Sequence, residues 1–165
     1  MFNKVALPKI HASLASALTK AATYSPGLND LGLGAYRRLI VTFAVTAAER
    51  DSGDETYDLY VTMGDGSGSE WDVAHFPQIV TTGAKTFTAA ILADRLAEVT
   101  TATPGVAAEP SGTRRTDTAG SNEGAKTLAA GKVRHGPFGN YINYYLVIAG
   151  TIVTGISYSV TISAD

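Results

Sequence analysis

The longest sustained alternation of apolar and polar positions lies near the C-terminal end, from Tyr141 to Ser163. In its second half Ile156, Tyr158, Val160 and Ile162 take one side, and Ser157, Ser159, Thr161 and Ser163 the other. Period two with apolar against small polar residues predicts a half-buried antiparallel strand. In the first half Ile142, Tyr144, Leu146 and Ile148 oppose Tyr141, Asn143, Tyr145 and Val147. Both of those faces are largely apolar, so this strand is expected to be covered on both sides. A turn at Val153-Thr154-Gly155 leaves two strands of similar length, with Gly150 as a bulge or a close backbone approach. The expectation is a terminal hairpin at the centre of the sheet core.

The same pattern recurs upstream. Leu39, Val41, Phe43 and Val45 predict a strand over 36–47, followed by a polar loop across 48–56. Tyr57, Leu59, Val61 and Met63 mark the inner face of the next strand. Trp71, Val73 and His75 share one face of a strand that ends at Phe76-Pro77. Phe87, Ala89 and Ile91 predict another strand over 85–92. Periodicity lapses from Ala93 to Gly131, apart from a short strand near 95–100, and 100–127 reads as a long loop excursion. Residues 128–133 re-enter the core, and 135–140 form a glycine-proline turn. At the other end, Ile10, Leu14 and Leu18 fall at helical spacing, which predicts a short helix over 9–22 packed on its own domain. The competing reading makes 1–26 an arm lying on another subunit. The fold class expected is all-β: a jelly-roll-like antiparallel β-sandwich over 27–165, with an extended or short-helical N-terminal arm over 1–26.

Composition narrows the function classes. The chain has 165 residues, 45% hydrophobic and 17% charged, with 17 glycines. That charge content is below the roughly 25% usual for soluble domains, and suits a protein that buries surface against partners. A net charge of -2 and a pI near 5.9 argue against non-specific nucleic-acid binding. With no cysteine, disulfides and thiolate metal sites are excluded. No apolar run approaches the roughly 18 residues that span a bilayer, and the N-terminus has no signal-like apolar block, so a cytosolic origin is expected.

Chemistry-bearing motifs are sparse. The loop GDGSGS at 64–69 lacks the lysine and helix of a phosphate-binding loop. Asp51, Asp54, Glu55 and Asp65 miss calcium-loop spacing. His11, His75 and His135 are scattered, without paired metal-ligand spacing. No nucleophile elbow or cysteine nucleophile is present. The expectation is therefore no catalytic residue, no cofactor and no metal. Partner contact is expected instead from Phe2, Lys4, Ile10, His11 and Leu14 in the arm and from Arg114 and Arg115 in the excursion. Two competing classes remain: a sugar- or ligand-binding module with Trp71 and Tyr60 as a platform beside Asp65, and a hydrolase that uses His75 and His135.

Three stretches carry a resemblance. LNDLGLGAYRRLIVTFAVTAA, then SGDETYDLYV, then the tyrosine-rich strand with AGT and a glycine before the last alternating strand, resemble the capsid cement (decoration) proteins of tailed-phage heads. The likeness covers roughly 26–60 and 140–163. It implies a jelly-roll-like sandwich on the exterior of the virion head, assembled in the host cytoplasm. The implied partners are the phage major capsid protein and the chain itself, as homodimer or homotrimer, with no nucleic acid and no membrane. A tail role is the alternative within the virion.

Overall fold

A computed structural model describes residues 8–67, 70–93, 99–101 and 128–165. In chain order the strands are β1 (Ile10–Lys20), β2 (Asn29–Asp30), β3 (Arg38–Ala48), β4 (Thr56–Gly64), β5 (Glu70–His75), β6 (Lys85–Leu92), β7 (Val99–Thr101), β8 (Lys132–Arg134), β9 (Tyr141–Ala149) and β10 (Ile156–Ala164). One 3-10 turn lies at Leu33–Ala35. The strands form two antiparallel sheets, ordered β1-β10-β3-β6 and β2-β9-β4-β5-β8-β7. The all-β, two-sheet architecture expected from the alternation is present.

The inner faces meet in one apolar core. Phe43 on β3 sits 5.8 Å from Phe76, 6.0 Å from Phe87 and 6.0 Å from Tyr158 between ring centroids. Phe43, Phe76 and Tyr158 are essentially inaccessible, as are Leu39, Leu59, Met63 and Ile91. Burying each such side chain contributes about 1.5–3 kcal/mol. Tyr144 on β9 and Tyr158 on β10 face each other across the core, with hydroxyls 3.1 Å apart. Burial raises both phenol pKa values, so the pair stays neutral and each hydroxyl's partner is the other.

Two expectations are corrected. β9 and β10 do not form a hairpin: β9 pairs with β2 and β4, whereas β10 pairs with β1 and β3. The link between them crosses from one sheet to the other. Gly150 and Gly155 have φ of +100° and +82°, and a Cβ at either would collide with backbone, at Asp54 and at Lys20 respectively. These glycines build a crossover, not a bulge and a hairpin turn. Likewise, 9–22 is not a helix. Residues 10–20 form edge strand β1 against β10, with irregularities between Ser13 and Ala15 and between Ala15 and Leu18. Each bulge inserts one residue, so the inward positions fall at Ile10, Ala12, Ala15 and Leu18. Leu14, the residue inserted at the first irregularity, also packs against the core, so Ile10, Leu14 and Leu18 fall at a spacing that imitates a helical stripe. The expected arm is thus sheet from Ile10 to Lys20, while Phe2 and Lys4 lie outside the described residues.

The two sheet crossovers at one end are tied together by carboxylates. Glu49, just after β3 and mostly buried, accepts the N–H of Val153 at 3.0 Å, of Thr154 at 2.5 Å and of Gly155 at 2.5 Å. Asp54, before β4, accepts the N–H and hydroxyl of Thr151, both at 3.1 Å. The Gly155 N–H above all, joined by those of Thr154 and Val153, lowers the Glu49 pKa against the opposing effect of burial. The Thr151 N–H does the same for Asp54.

Candidate functional site

Each sheet has an outer face, and the two differ in kind. On the β2-β9-β4-β5 side the outward residues of β4 are Asp58, Tyr60 and Thr62, all buried. β4 is central, between β9 and β5, and its register sets Tyr60 opposite His75 and Tyr145. The His75 ring stacks on Tyr60 with centroids 3.9 Å apart. Its Nε2 lies 3.2 Å from Asp58 Oδ1, and its Nδ1 lies 3.0 Å from the Leu128 carbonyl. Gln78 Nε2 donates to the other Asp58 oxygen at 2.6 Å. Farther along, Glu70 accepts from Thr62 Oγ1 at 2.5 Å and from the Tyr145 hydroxyl at 3.1 Å.

What can this cluster do chemically? Both ring nitrogens of His75 face acceptors, and both oxygens of Asp58 are engaged. Neither nitrogen is left to take a proton from an incoming group, and His75 is only 1% exposed. The cluster's visible work is mechanical. His75 holds the Leu128 carbonyl through its side chain and the Gly131 N–H through its own carbonyl at 2.8 Å, which fastens the returning chain to β5. Sequence reading missed the Asp58–His75 pair. Its only signal was an acidic residue inside the otherwise apolar-aromatic run Tyr57 to Val61.

The β1-β10-β3-β6 side is partly exposed, and its middle rungs carry small polar and apolar residues. Register aligns Ser13, Thr161, Thr42 and Thr88 in one rung across the four strands. A neighbouring rung sets His11, Ser163, Ile40 and Ala90 side by side, and on the other flank Ser159, Ala44 and Thr86 continue the face. At the end rung of the same face Arg38, opposite Leu92, forms a salt bridge with Asp165, with Nε to Oδ1 at 2.8 Å and Nη2 to Oδ2 at 2.5 Å. That contact raises the Arg38 pKa and lowers that of Asp165.

The remaining expected residues sort as follows. His11 is exposed on the outer face of β1-β10-β3-β6, while Ile10 and Leu14 pack partly against the core. Phe2, Lys4, Arg114 and Arg115 lie outside the described residues. The sugar platform does not assemble: Tyr60 is buried on the outer face, whereas Trp71 opposes Met63 and packs against the core. His135 is buried, and its Nδ1 accepts the Leu92 N–H at 3.0 Å. A half-open hollow of about 420 Å³ beside the start of β6 is lined by Pro77, Gln78, Val80, Thr81, Lys85 and Phe87, which bring no acid and base together. Among the described residues no group of three or more His, Asp or Glu could hold a metal ion, and no helix is long and apolar enough to cross a membrane.

Comparison with protein-family models, with curated proteins and with solved structures returns no match in any of the three.

Proposed function

We propose that this chain is a structural protein of tailed-phage heads: a jelly-roll cement (decoration) protein that binds the head exterior and bridges neighbouring major capsid subunits. The observation that carries the proposal is the nesting of strand pairs. β1 pairs with β10, β2 with β9, β3 with β6 and β4 with β5. A long antiparallel ribbon, β1 to β4 running against β5, β6, β9 and β10, would give these pairs when wound into two facing sheets. That supports a jelly roll, an architecture of viral capsid proteins and lectins. The separation of Tyr60 from Trp71 weighs against the lectin branch. The resemblance of 26–60 and 140–163 to cement proteins supports the viral one.

Cementing asks for a rigid body and contact surface more than for a reaction centre. The sandwich supplies rigidity. β1, which holds Ile10, His11 and Leu14 of the expected partner contacts, supplies an edge at the rim of its sheet. Many copies on a symmetric shell then multiply modest contacts. The partners in this reading are the major capsid protein and the chain itself, with neither nucleic acid nor membrane. The test is to add purified protein to heads assembled from the phage's own coat protein. Saturable binding at a fixed ratio to coat subunits, with a higher temperature of head disruption, is expected. Absence of binding at saturating protein would overturn the proposal.

A further inference from the structure

We infer that the outer edge of β6 and the hollow beside it take an extended segment of a partner protein, one that carries an acidic side chain next to an apolar one. The segment adds as a fifth strand to the β1-β10-β3-β6 sheet. Strand alternation fixes which groups of β6 are available. The Leu92 N–H donates to His135 Nδ1 and the Leu92 carbonyl accepts the Gly136 N–H, both at 3.0 Å and both on the side away from β3. Backbone groups alternate in direction along an antiparallel strand, so those of Thr86 and Ala90 point to that same side. Among the described residues nothing pairs with them there. The two edges of this sheet are also built differently. β1 is interrupted by two bulges, a device that keeps an edge from pairing with another chain. β6 pairs with β3 without a register shift from Lys85 to Leu92, contains no proline and bears one charge, Lys85.

The hollow of about 420 Å³ at the start of this edge makes it selective. Lys85 and Phe87 lie on the same side of β6 as buried Ala89 and Ile91, and with Pro77 and Val80 they line the hollow. Phe87 packs on Phe43 and Phe76, with centroids 6.0 Å and 6.2 Å apart, which fixes this wall to the core. A strand laid beside β6 turns every second side chain toward the space between the sheets, and near Thr86 that space is the hollow. Main-chain pairing gives affinity whatever the sequence, and the pocket chooses the side chain. Lys85 is partly exposed and forms no ion pair among the described residues, which favours Asp or Glu beside the apolar residue. His135 and Gly136 already occupy Leu92, so the added strand spans about five residues, roughly 17 Å. This inference stands apart from the cement reading, since any partner with such a segment satisfies it.

The experiment pans random twelve-residue peptides, displayed on yeast, against the full chain. Synthetic copies of the enriched peptides are then titrated by fluorescence anisotropy into wild type, Thr86→Pro and Lys85→Glu. Proline at 86 removes an N–H that faces away from β3, so the sheet is kept while the edge loses a donor. Enriched peptides should carry Asp or Glu next to an apolar residue. They should bind Thr86→Pro at least about tenfold more weakly and Lys85→Glu about fivefold more weakly. In wild type, saturating peptide should slow amide hydrogen exchange at Thr86 and Ala90 at least about tenfold. Melting curves check folding, and the exchange measurement decides if Thr86→Pro does not fold. A library that yields no enriched peptide overturns the inference. So does a folded Thr86→Pro that binds as tightly as wild type, or exchange at Thr86 and Ala90 that peptide leaves unchanged. Enriched peptides without acidic residues, bound equally by Lys85→Glu, overturn the assignment of the partner's charge.

Discussion

The outer faces of the two sheets are built from the same strand geometry and reach opposite solutions. On the β1-β10-β3-β6 side, the central strands run apolar inward and mostly hydroxyl or methyl outward, with charge only in the Arg38–Asp165 pair at the end. On the β4-β5 side, both faces are buried, and the outward positions carry an acid, an imidazole and a phenol that hold one another. The first face tolerates change. The second is committed to the fold, because a buried charge that loses its partner is far costlier than an exposed hydroxyl that loses a neighbour.

Breaking the second face should give the largest effect. His75→Ala leaves Asp58 buried with Gln78 as its remaining partner and releases the Leu128 carbonyl, and it should cost about 3–5 kcal/mol in urea unfolding. Replacing Asp58 and His75 together by leucine removes both buried polar groups and should recover much of that loss. Thr42→Lys on the first face should change stability by no more than about 0.5 kcal/mol. Comparable losses for His75→Ala and Thr42→Lys would erase the distinction between the faces.

The seam between the sheets comes next. Tyr158→Phe strands the buried Tyr144 hydroxyl, and should cost about 1–3 kcal/mol. The double change to phenylalanine at 144 and 158 leaves no orphan hydroxyl and should be milder than the sum of the single changes. Additive losses would mean that the 3.1 Å contact carries no coupling.

Acid probes the crossover end. Glu49, Asp54 and Asp165 all have lowered pKa values in the folded chain, through N–H donors for the first two and Arg38 for the third. A carboxylate with a depressed folded pKa contributes stability that is present above its unfolded value, about 4, and is lost as pH falls through the lower folded value. The melting temperature should therefore hold from neutral pH down to about 4 and fall below it. Glu49→Gln presents an amide to backbone donors it only half satisfies. It should lower the neutral-pH melting temperature by several degrees and flatten the acid limb. An unchanged acid limb would remove Glu49 from the account.

Much of this was legible in sequence, and what was not has definite causes. Alternation located β3, β4, β6, β9 and β10 to within a few residues, because period two reports which side of a strand is buried. It does not report which strand pairs with which. Tyr141 to Ser163 therefore read as a hairpin, although Tyr144 and Tyr158 face each other from different sheets. Gly150 and Gly155 were visible as breaks, but the contacts that require them lie at Asp54 and Lys20, far away in sequence. The Asp58–His75 pair was hidden for the same reason: its members sit on neighbouring strands, and burial of both faces erased the polar-out signal that would have set them apart.

The smallest effect concerns the β1 edge of the first face. Two insertions in β1 each flip the alternation, and together they return Thr19 to the same side as Ser13. The second of them places Ala17 at φ +47°, the only non-glycine with positive φ among the described residues. A Cβ in that left-handed region costs roughly 1 kcal/mol, whereas glycine adopts it freely and loses part of the gain to its freer unfolded chain. Ala17→Gly should therefore stabilise by a few tenths of a kcal/mol to about 1 kcal/mol, and Ala17→Val should destabilise by a similar amount or more. If residues 9–22 were helical in solution, the order would reverse in part: glycine would cost about 1 kcal/mol in a helix interior, and valine less. The sign of the glycine substitution thus separates a bulged edge strand from a helix.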